Sequence, residues 1–305
     1  SVQKVWNDDG NRDGIRPESI TVILYAEADG VAKHKVDEAV LDETNLWTAT
    51  KSGLAKNVNG KPYTYTWEEE NVPEGYTLTT GYDSEDTNKT ILTNTHTPET
   101  VNATVVKVWD DADNQDGKRA SELTVELMRN GTEVAGTVTL NEENNWTDTV
   151  ENLDKYTGGV KNVYTWAEKN LPEGYSLTDT KKEVTEATED TLEAAITTLT
   201  NKHTPGKVSA SILKIWDDAK NQDGKRPETI TAILVKNGEE TDQKVTLSAD
   251  NEWSAIIKDL DEYTNGTLNK YTWKEAEVPE GYELTLNKTD GTFTTLTNTH
   301  VPELV

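Results

Sequence analysis

Apolar and polar residues alternate with period two along many short stretches of the chain. Thr104-Val105-Val106-Lys107-Val108-Trp109 and Ile230-Thr231-Ala232-Ile233-Leu234-Val235 are typical, and Asn-Gly, Asp-Gly and Pro punctuate such runs. Threonine and other β-branched residues are abundant, which suits a pleated, half-buried surface. The only stretch open to a helical reading is Glu183 to Ala195, and it has no counterpart elsewhere in the chain. About seven short strands per 100 residues predict an all-β chain of β-sandwiches.

The pattern occurs three times. Lys4-Val5-Trp6 returns as Lys107-Val108-Trp109 and Lys214-Ile215-Trp216. Tyr65-Thr66-Trp67 returns as Tyr164-Thr165-Trp166 and Tyr271-Thr272-Trp273, and Leu92-Thr93-Asn94 as Leu199-Thr200-Asn201 and Leu296-Thr297-Asn298. A period of this length means one domain per repeat. The expected domains are residues 1–98, 99–205 and 206–305. The junctions Thr97-Pro98-Glu99 and Thr204-Pro205-Gly206 are too short for floppy tethers, so a semi-rigid string of domains is expected. Tryptophans recur at matched places too. Sugar stacking is one use for them; filling cores poor in aliphatic residues is the simpler one.

Strand parity places three polar residues on apolar faces. Tyr65, Trp67 and Glu69 share a face, as do Tyr164, Trp166 and Glu168, and Tyr271, Trp273 and Glu275. The residue before each glutamate is Glu68, Ala167 or Lys274, a mixture that belongs in water. Asn94, Asn201 and Asn298 follow their leucines inward. Lys4, Lys107 and Lys214 lie amid apolar neighbours, and a strand covered on both faces would bury them. Burying such groups unpaired costs several kcal/mol. A buried salt bridge with a hydrogen-bonded asparagine would satisfy them. A chemical reading is also open. A desolvated lysine gives up its proton and becomes a nucleophile, while a buried carboxyl can hold and pass a proton. Attack on the asparagine side chain would expel ammonia and leave a Lys–Asn isopeptide bond.

Further signals carry the reading to a family. The Lys-Val-Trp start and the Asp-Gly-x-Arg-Pro loop (Asp13, Gly14, Arg16, Pro17; Asp223, Gly224, Arg226, Pro227) are two of them. The Glu-x-x-x-Pro-x-Gly-Tyr stretch and the Thr-Asn-Thr end are the others. Together they resemble Cna B-type domains, stalk and pilin modules of Gram-positive surface proteins, across essentially the whole chain. The resemblance implies three tandem Ig-like sandwiches in an elongated rod, cross-linked Lys4–Asn94, Lys107–Asn201 and Lys214–Asn298. Glu69, Glu168 and Glu275 would promote the bonds. Repeat 2 departs from the pattern at Ala120 and Lys202. Repeat 1 has only three residues before Lys4, which puts its first strand and its bond in question.

Composition narrows the functional classes. Lys plus Arg is 30 against 56 Asp plus Glu, a net charge of −26, which repels nucleic acid. No apolar run reaches the roughly 20 residues needed to span a bilayer. With no cysteine there are no disulfides or thiolate metal sites. The first residues already read as a strand, as expected of a piece of a longer secreted protein. Asp9 to Gly14 matches half of an EF-hand loop, but Ile20 stands at the twelfth position, and Ala112 and Ala219 replace the first ligand. A turn whose acidic residues pair Arg16, Arg119 and Arg226 is the better reading. His96, His203 and His300 lie near the junctions without a metal cluster. No cofactor and no metal are expected, and no catalysis beyond one intramolecular turnover. The expected role is the extracellular, cell-wall-attached stalk of an adhesin. Its partners would be neighbouring domains and, through a head beyond this chain, a host matrix ligand. The alternative is a ligand-binding adhesin module or pilin subunit that itself grips a host matrix protein or glycan, with the Lys181–Ala195 insertion as the place for a distinctive patch.

Overall fold

The computed structural model describes residues 1–185 and 193–303. Each repeat forms a four-stranded and a three-stranded sheet. In repeat 1 the four-stranded sheet runs Thr48–Ala49, Val2–Asn7, Thr90–Thr95, Thr77–Tyr82, and the other runs Val31–Asp42, Ser19–Ala28, Thr64–Glu69. Repeat 3 repeats this order with Ser254–Asp261, Lys207–Asp217, Phe293–Thr299, Glu283–Asp290, and with Glu239–Ser248, Thr229–Lys236, Tyr271–Glu275. Repeat 2 has the same order, built on Thr100–Asp110 and Glu193–Lys202 in one sheet and Glu122–Arg129 and Tyr164–Glu168 in the other.

Alternation sends one side chain in two into the sandwich. Val2 and Leu92 from one sheet meet Val22, Leu24, Leu41 and Trp67 from the other in a single core. Ile212 and Leu296 likewise meet Ala232, Leu234, Leu247 and Trp273. Trp67, Trp166 and Trp273 are buried, and the remaining six tryptophans are half-buried. In repeats 1 and 3, Trp6, Trp47, Trp216 and Trp253 pack against the cores, so these rings serve the interior.

Among the described residues the only helical element is a single 3-10 turn, Ala249–Asn251. The candidate helix 183–195 resolves otherwise. Residues up to Thr185 belong to the strand Ser176–Thr185, Glu193 opens the strand Glu193–Lys202, and 186–192 lie outside the described residues.

By packing, the chain divides into two compact units that do not follow the repeats. One comprises Ser1–Val106, Thr124–Lys169 and Lys181–Thr198; the other comprises Lys107–Leu123, Asn170–Thr180 and Leu199–Val305.

Within the first unit, the Asp13-Gly14 loop meets the hairpin that carries Gly159. The Gly159 N–H donates to Arg12 O at 3.0 Å. A Cβ on Gly14 would lie 2.4 Å from Gly159 Cα, and both glycines have positive φ, so no side chain fits at either. Within the second unit, Gly117 and Gly266 repeat the contact, with the Gly266 N–H on Gln115 O at 3.0 Å.

Candidate functional site

The first and last strands of repeats 1 and 3 lie side by side and parallel, in one register. Lys4 is opposite Leu92 and Trp6 opposite Asn94; Lys214 is opposite Leu296 and Trp216 opposite Asn298. The first strand of repeat 1 is six residues long against eleven in repeat 3, yet its lysine sits at the same register. The extra residues of the repeat 3 strand lie at the end away from its lysine, so the difference in length does not touch the site. A mid-repeat turn holds each of these lysines by its backbone: Lys4 N–H donates to Trp47 O, and Lys214 N–H to Trp253 O, both at 2.8 Å.

All three lysines are at most 4 % exposed, and all three asparagines are fully buried. The lysines are buried for a reason other than coverage of both faces. The flanking Val5, Val108 and Ile215 are 36–42 % exposed, so the strand is covered on one face only. Parity alone turns the lysine inward.

In repeat 1 the Lys4 Nζ donates to Glu69 Oε2 at 2.7 Å, and Asn94 Nδ2 donates to Glu69 Oε1 at 2.9 Å. In repeat 3 the Lys214 Nζ lies 2.8 Å from Glu275 Oε1, and Asn298 Nδ2 donates to both Glu275 oxygens at 3.0 Å. One carboxyl group thus joins the amine to the amide. The Asn94 and Asn298 side-chain oxygens are buried without a hydrogen bond. Burial pushes the Lys4 and Lys214 amines below their ordinary range, against the opposing pull of the glutamate beside each. In repeat 2, Lys107 and Asn201 are likewise buried. Lys107 Nζ donates to Leu199 O at 3.0 Å, and Glu168 is half-buried.

An indole covers each amine. The Nζ of Lys4, Lys107 and Lys214 lies 4.8 Å from the ring centroid of Trp6, Trp109 and Trp216 respectively. A clamp fixes the indole from outside. Tyr76 packs edge-on against Trp6 at 5.1 Å and donates its hydroxyl to Asp8 Oδ2 at 2.8 Å, while Arg16 Nε donates to the same oxygen at 2.9 Å. Asp111 with Arg119 and Tyr175, and Asp218 with Arg226 and Tyr282, repeat it. The acidic turn does pair the three arginines, as the sequence suggests. Burial works against ionisation of Asp111, but bonds from Arg119, Tyr175 and the Asn114 N–H win and hold its carboxyl at about 2. Asp218 is held at about 2, chiefly by Arg226.

Two sets of residues escape sequence reasoning. The tyrosines of the clamp stand in every Pro-x-Gly-Tyr motif but show no sign of their distant partner. The histidines, read only as lacking a metal cluster, each meet an aspartate. His96 Nε2 lies 2.9 Å from Asp13 Oδ2, His203 Nε2 3.1 Å from Asp116 Oδ2, and His300 Nε2 3.0 Å from Asp223 Oδ2. The recurrence of both residues in all three repeats was the available signal.

Comparison with known proteins accounts for this threefold geometry. The model of the Cna protein B-type domain matches residues 1–95, 103–202 and 210–299. The chain belongs to this family. Its Cna B-type repeats are 38% identical over 303 residues to a collagen adhesin of Staphylococcus aureus, covering 99% of this chain. They span about a quarter of that protein, 24% of its length. A solved structure of two B repeat units of the Staphylococcus aureus collagen binding protein is 37% identical, with a TM-score of 0.54 over 98% of this chain and 74% of that one.

Proposed function

We propose that this chain is stalk material of a bacterial surface adhesin, and that each repeat closes its own Lys–Asn isopeptide bond. The bonds would join Lys4 to Asn94, Lys107 to Asn201 and Lys214 to Asn298, promoted by Glu69, Glu168 and Glu275. The observation that carries the reading is the buried amine–carboxyl–amide contact of repeats 1 and 3, in a protein with no cysteine. The likeness to a collagen adhesin supports the surface setting; collagen binding is named for that protein.

The chemistry balances within the site. Inside the buried pair the lysine passes a proton to the glutamate. Turned over, the amide accepts a hydrogen bond from the protonated carboxyl at the same heavy-atom distance. The neutral Nζ adds to the asparagine Cγ. The glutamate gives its proton to the departing nitrogen, which leaves as ammonia, and recovers one from the attacking nitrogen. The C–N bond to Nδ2 breaks, the bond to Nζ forms, and the glutamate ends protonated, holding the proton that the lysine brought. The residues are consumed by their own reaction, so no turnover of external substrate follows.

Lys and Asn sit near opposite ends of each repeat, so tension entering along the first strand would leave along the last. By analogy with a disulfide closing a loop of similar length, the bond contributes about 4–5 kcal/mol through the unfolded state. Anchorage in the cell wall and a ligand-binding head elsewhere in the protein complete the proposal.

Intact mass is the test. Each bond removes one ammonia, about 17 Da, so three bonds leave the chain about 51 Da below its sequence mass. An unshifted mass would refute the cross-linking, and a deficit of two units would leave one repeat open, to be identified by peptide mapping.

A further inference from the structure

The histidines at the ends of the repeats have both ring nitrogens facing acceptors. His96 Nδ1 lies 2.9 Å from Gly75 O, and its Nε2 lies 2.9 Å from Asp13 Oδ2. The corresponding distances are 2.8 and 3.1 Å for His203, to Gly174 O and Asp116 Oδ2. They are 2.8 and 3.0 Å for His300, to Gly281 O and Asp223 Oδ2. A carbonyl oxygen only accepts, so Nδ1 carries hydrogen. A second hydrogen must then lie between Nε2 and the carboxylate, or two lone pairs would face each other. Each pair therefore holds one proton more than a neutral imidazole and a carboxylate together.

The same aspartate oxygen does one more thing. Asp13 Oδ2 accepts the Glu99 N–H at 2.7 Å, Asp116 Oδ2 the Gly206 N–H at 2.8 Å, and Asp223 Oδ2 the Glu303 N–H at 2.9 Å. These amides belong to the chain as it leaves each repeat, just beyond Thr-Pro or Val-Pro. The aspartate itself precedes the glycine that meets the next repeat at Gly159 or Gly266. Histidine, aspartate, outgoing amide and glycine contact thus form one joint.

We propose that His96–Asp13 is a proton-set latch that fastens the outgoing chain to the Asp-Gly loop, so that docking of the following repeat tightens as pH falls. The surroundings agree. At His96 the facing groups are Asp13, the Tyr76 ring at 5.5 Å and, behind that ring, Asp8 bonded to the Tyr76 hydroxyl. Among cations, Arg12 lies 3.9 Å from the far oxygen of Asp13, and Arg16 is bonded to Asp8. Burial works against a charged His96, but Asp13 and the Gly75 carbonyl outweigh it and raise its proton affinity. A raised histidine contributes its full stabilisation below its ordinary value, and that contribution is lost as pH rises through the raised one. The latch does not depend on the cross-link.

The test is made on the whole chain, by NMR of the histidine ring nitrogens and by amide exchange across about pH 5 to 9, the range in which histidine switches. Below its midpoint His96 should carry hydrogen on both nitrogens, and that midpoint should lie above the ordinary ~6.5. Corrected for the intrinsic exchange rate, protection of the Glu99 amide should fall about tenfold as pH rises through the transition, the loss of a bond worth ~1.4 kcal/mol. Asp13→Asn should bring the His96 midpoint down and make Glu99 protection independent of pH, while the Gly206 and Gly266 amides keep their wild-type protection. That unchanged protection reports that the variant is folded. A His96 ring neutral throughout, or wild-type Glu99 protection that does not change with pH, overturns the latch. So does an Asp13→Asn chain in which Glu99 still follows the wild-type curve.

Discussion

Glu69 and Glu275 each hold a lysine and an asparagine where water does not reach, and that places a sharp demand on any substitution. Removing one member of a buried ion pair costs about 3–5 kcal/mol, because the other charge is stranded. Glu168 is half-buried, so Glu168→Ala is the milder probe. It should leave repeat 2 folded and the intact chain about 17 Da above the mass of the same variant with all three bonds closed, and tryptic peptides containing Lys107 and Asn201 should run separately. A joined peptide from that variant would remove the glutamate from the mechanism. Glu275→Gln keeps the shape of the site but cannot shuttle the proton, and the same mass increment is expected. Asn298→Ala separates cross-linking from charge pairing, since Lys214 and Glu275 keep each other. Loss of about 4–5 kcal/mol of closure should lower the melting temperature of the third repeat by roughly 20 °C, measured by calorimetry. A fall of only a few degrees would mean that the bond contributes little.

At the scale of strands and loops, the clamp over each indole ties the loop after the first strand to the Gly-Tyr turn. Its acid limit follows from the aspartates. Asp111 and Asp218 stand at about 2 in the folded protein, below their ordinary 3.8. Groups lowered in this way contribute stability that is present above the ordinary value and is lost as pH falls toward the folded one. The loops at Arg119 and Arg226 should therefore hold down to about pH 4 and loosen between there and about pH 2, followed by tryptophan fluorescence of Trp109 and Trp216. Loosening that begins at pH 5 or above would contradict the assignment.

The same elements show where sequence reading succeeds. Period-two parity finds Lys4, Glu69 and Asn94, because a strand has only two faces and the neighbours of each residue reveal which is wet. It misjudges why the lysine is buried, because Val5, Val108 and Ile215 suggest a covered face that is in fact open. It does not reach the Tyr76–Asp8 or His96–Asp13 pairs. Those contacts join loops, where no periodicity fixes direction, and their members lie 68 and 83 residues apart.

For the molecule as a whole, three similar, strongly acidic repeats offer no reason for tight capture of a ligand. The chain should show no saturable binding to collagen, fibrinogen or glycans, and charge repulsion should keep it dispersed at low salt. Sub-micromolar binding in a matrix-protein panel would shift the assignment to a gripping module, with the Lys181–Ala195 insertion the first segment to delete. The paired glycines carry a different consequence. Each repeat bears one half of the joint at either end: Gly14, Gly117 and Gly224 on one loop, Gly60, Gly159 and Gly266 on the opposite hairpin. A gene that duplicates or loses a whole repeat therefore never separates a half from its mate. Excising residues 99–205 should bring Gly14 against Gly266, with Gly206 supplying the amide that Glu99 gave to Asp13, and exchange protection of the Gly266 amide would report it. Length in such a protein is then a quantity that recombination can change by integers, without any new surface having to evolve.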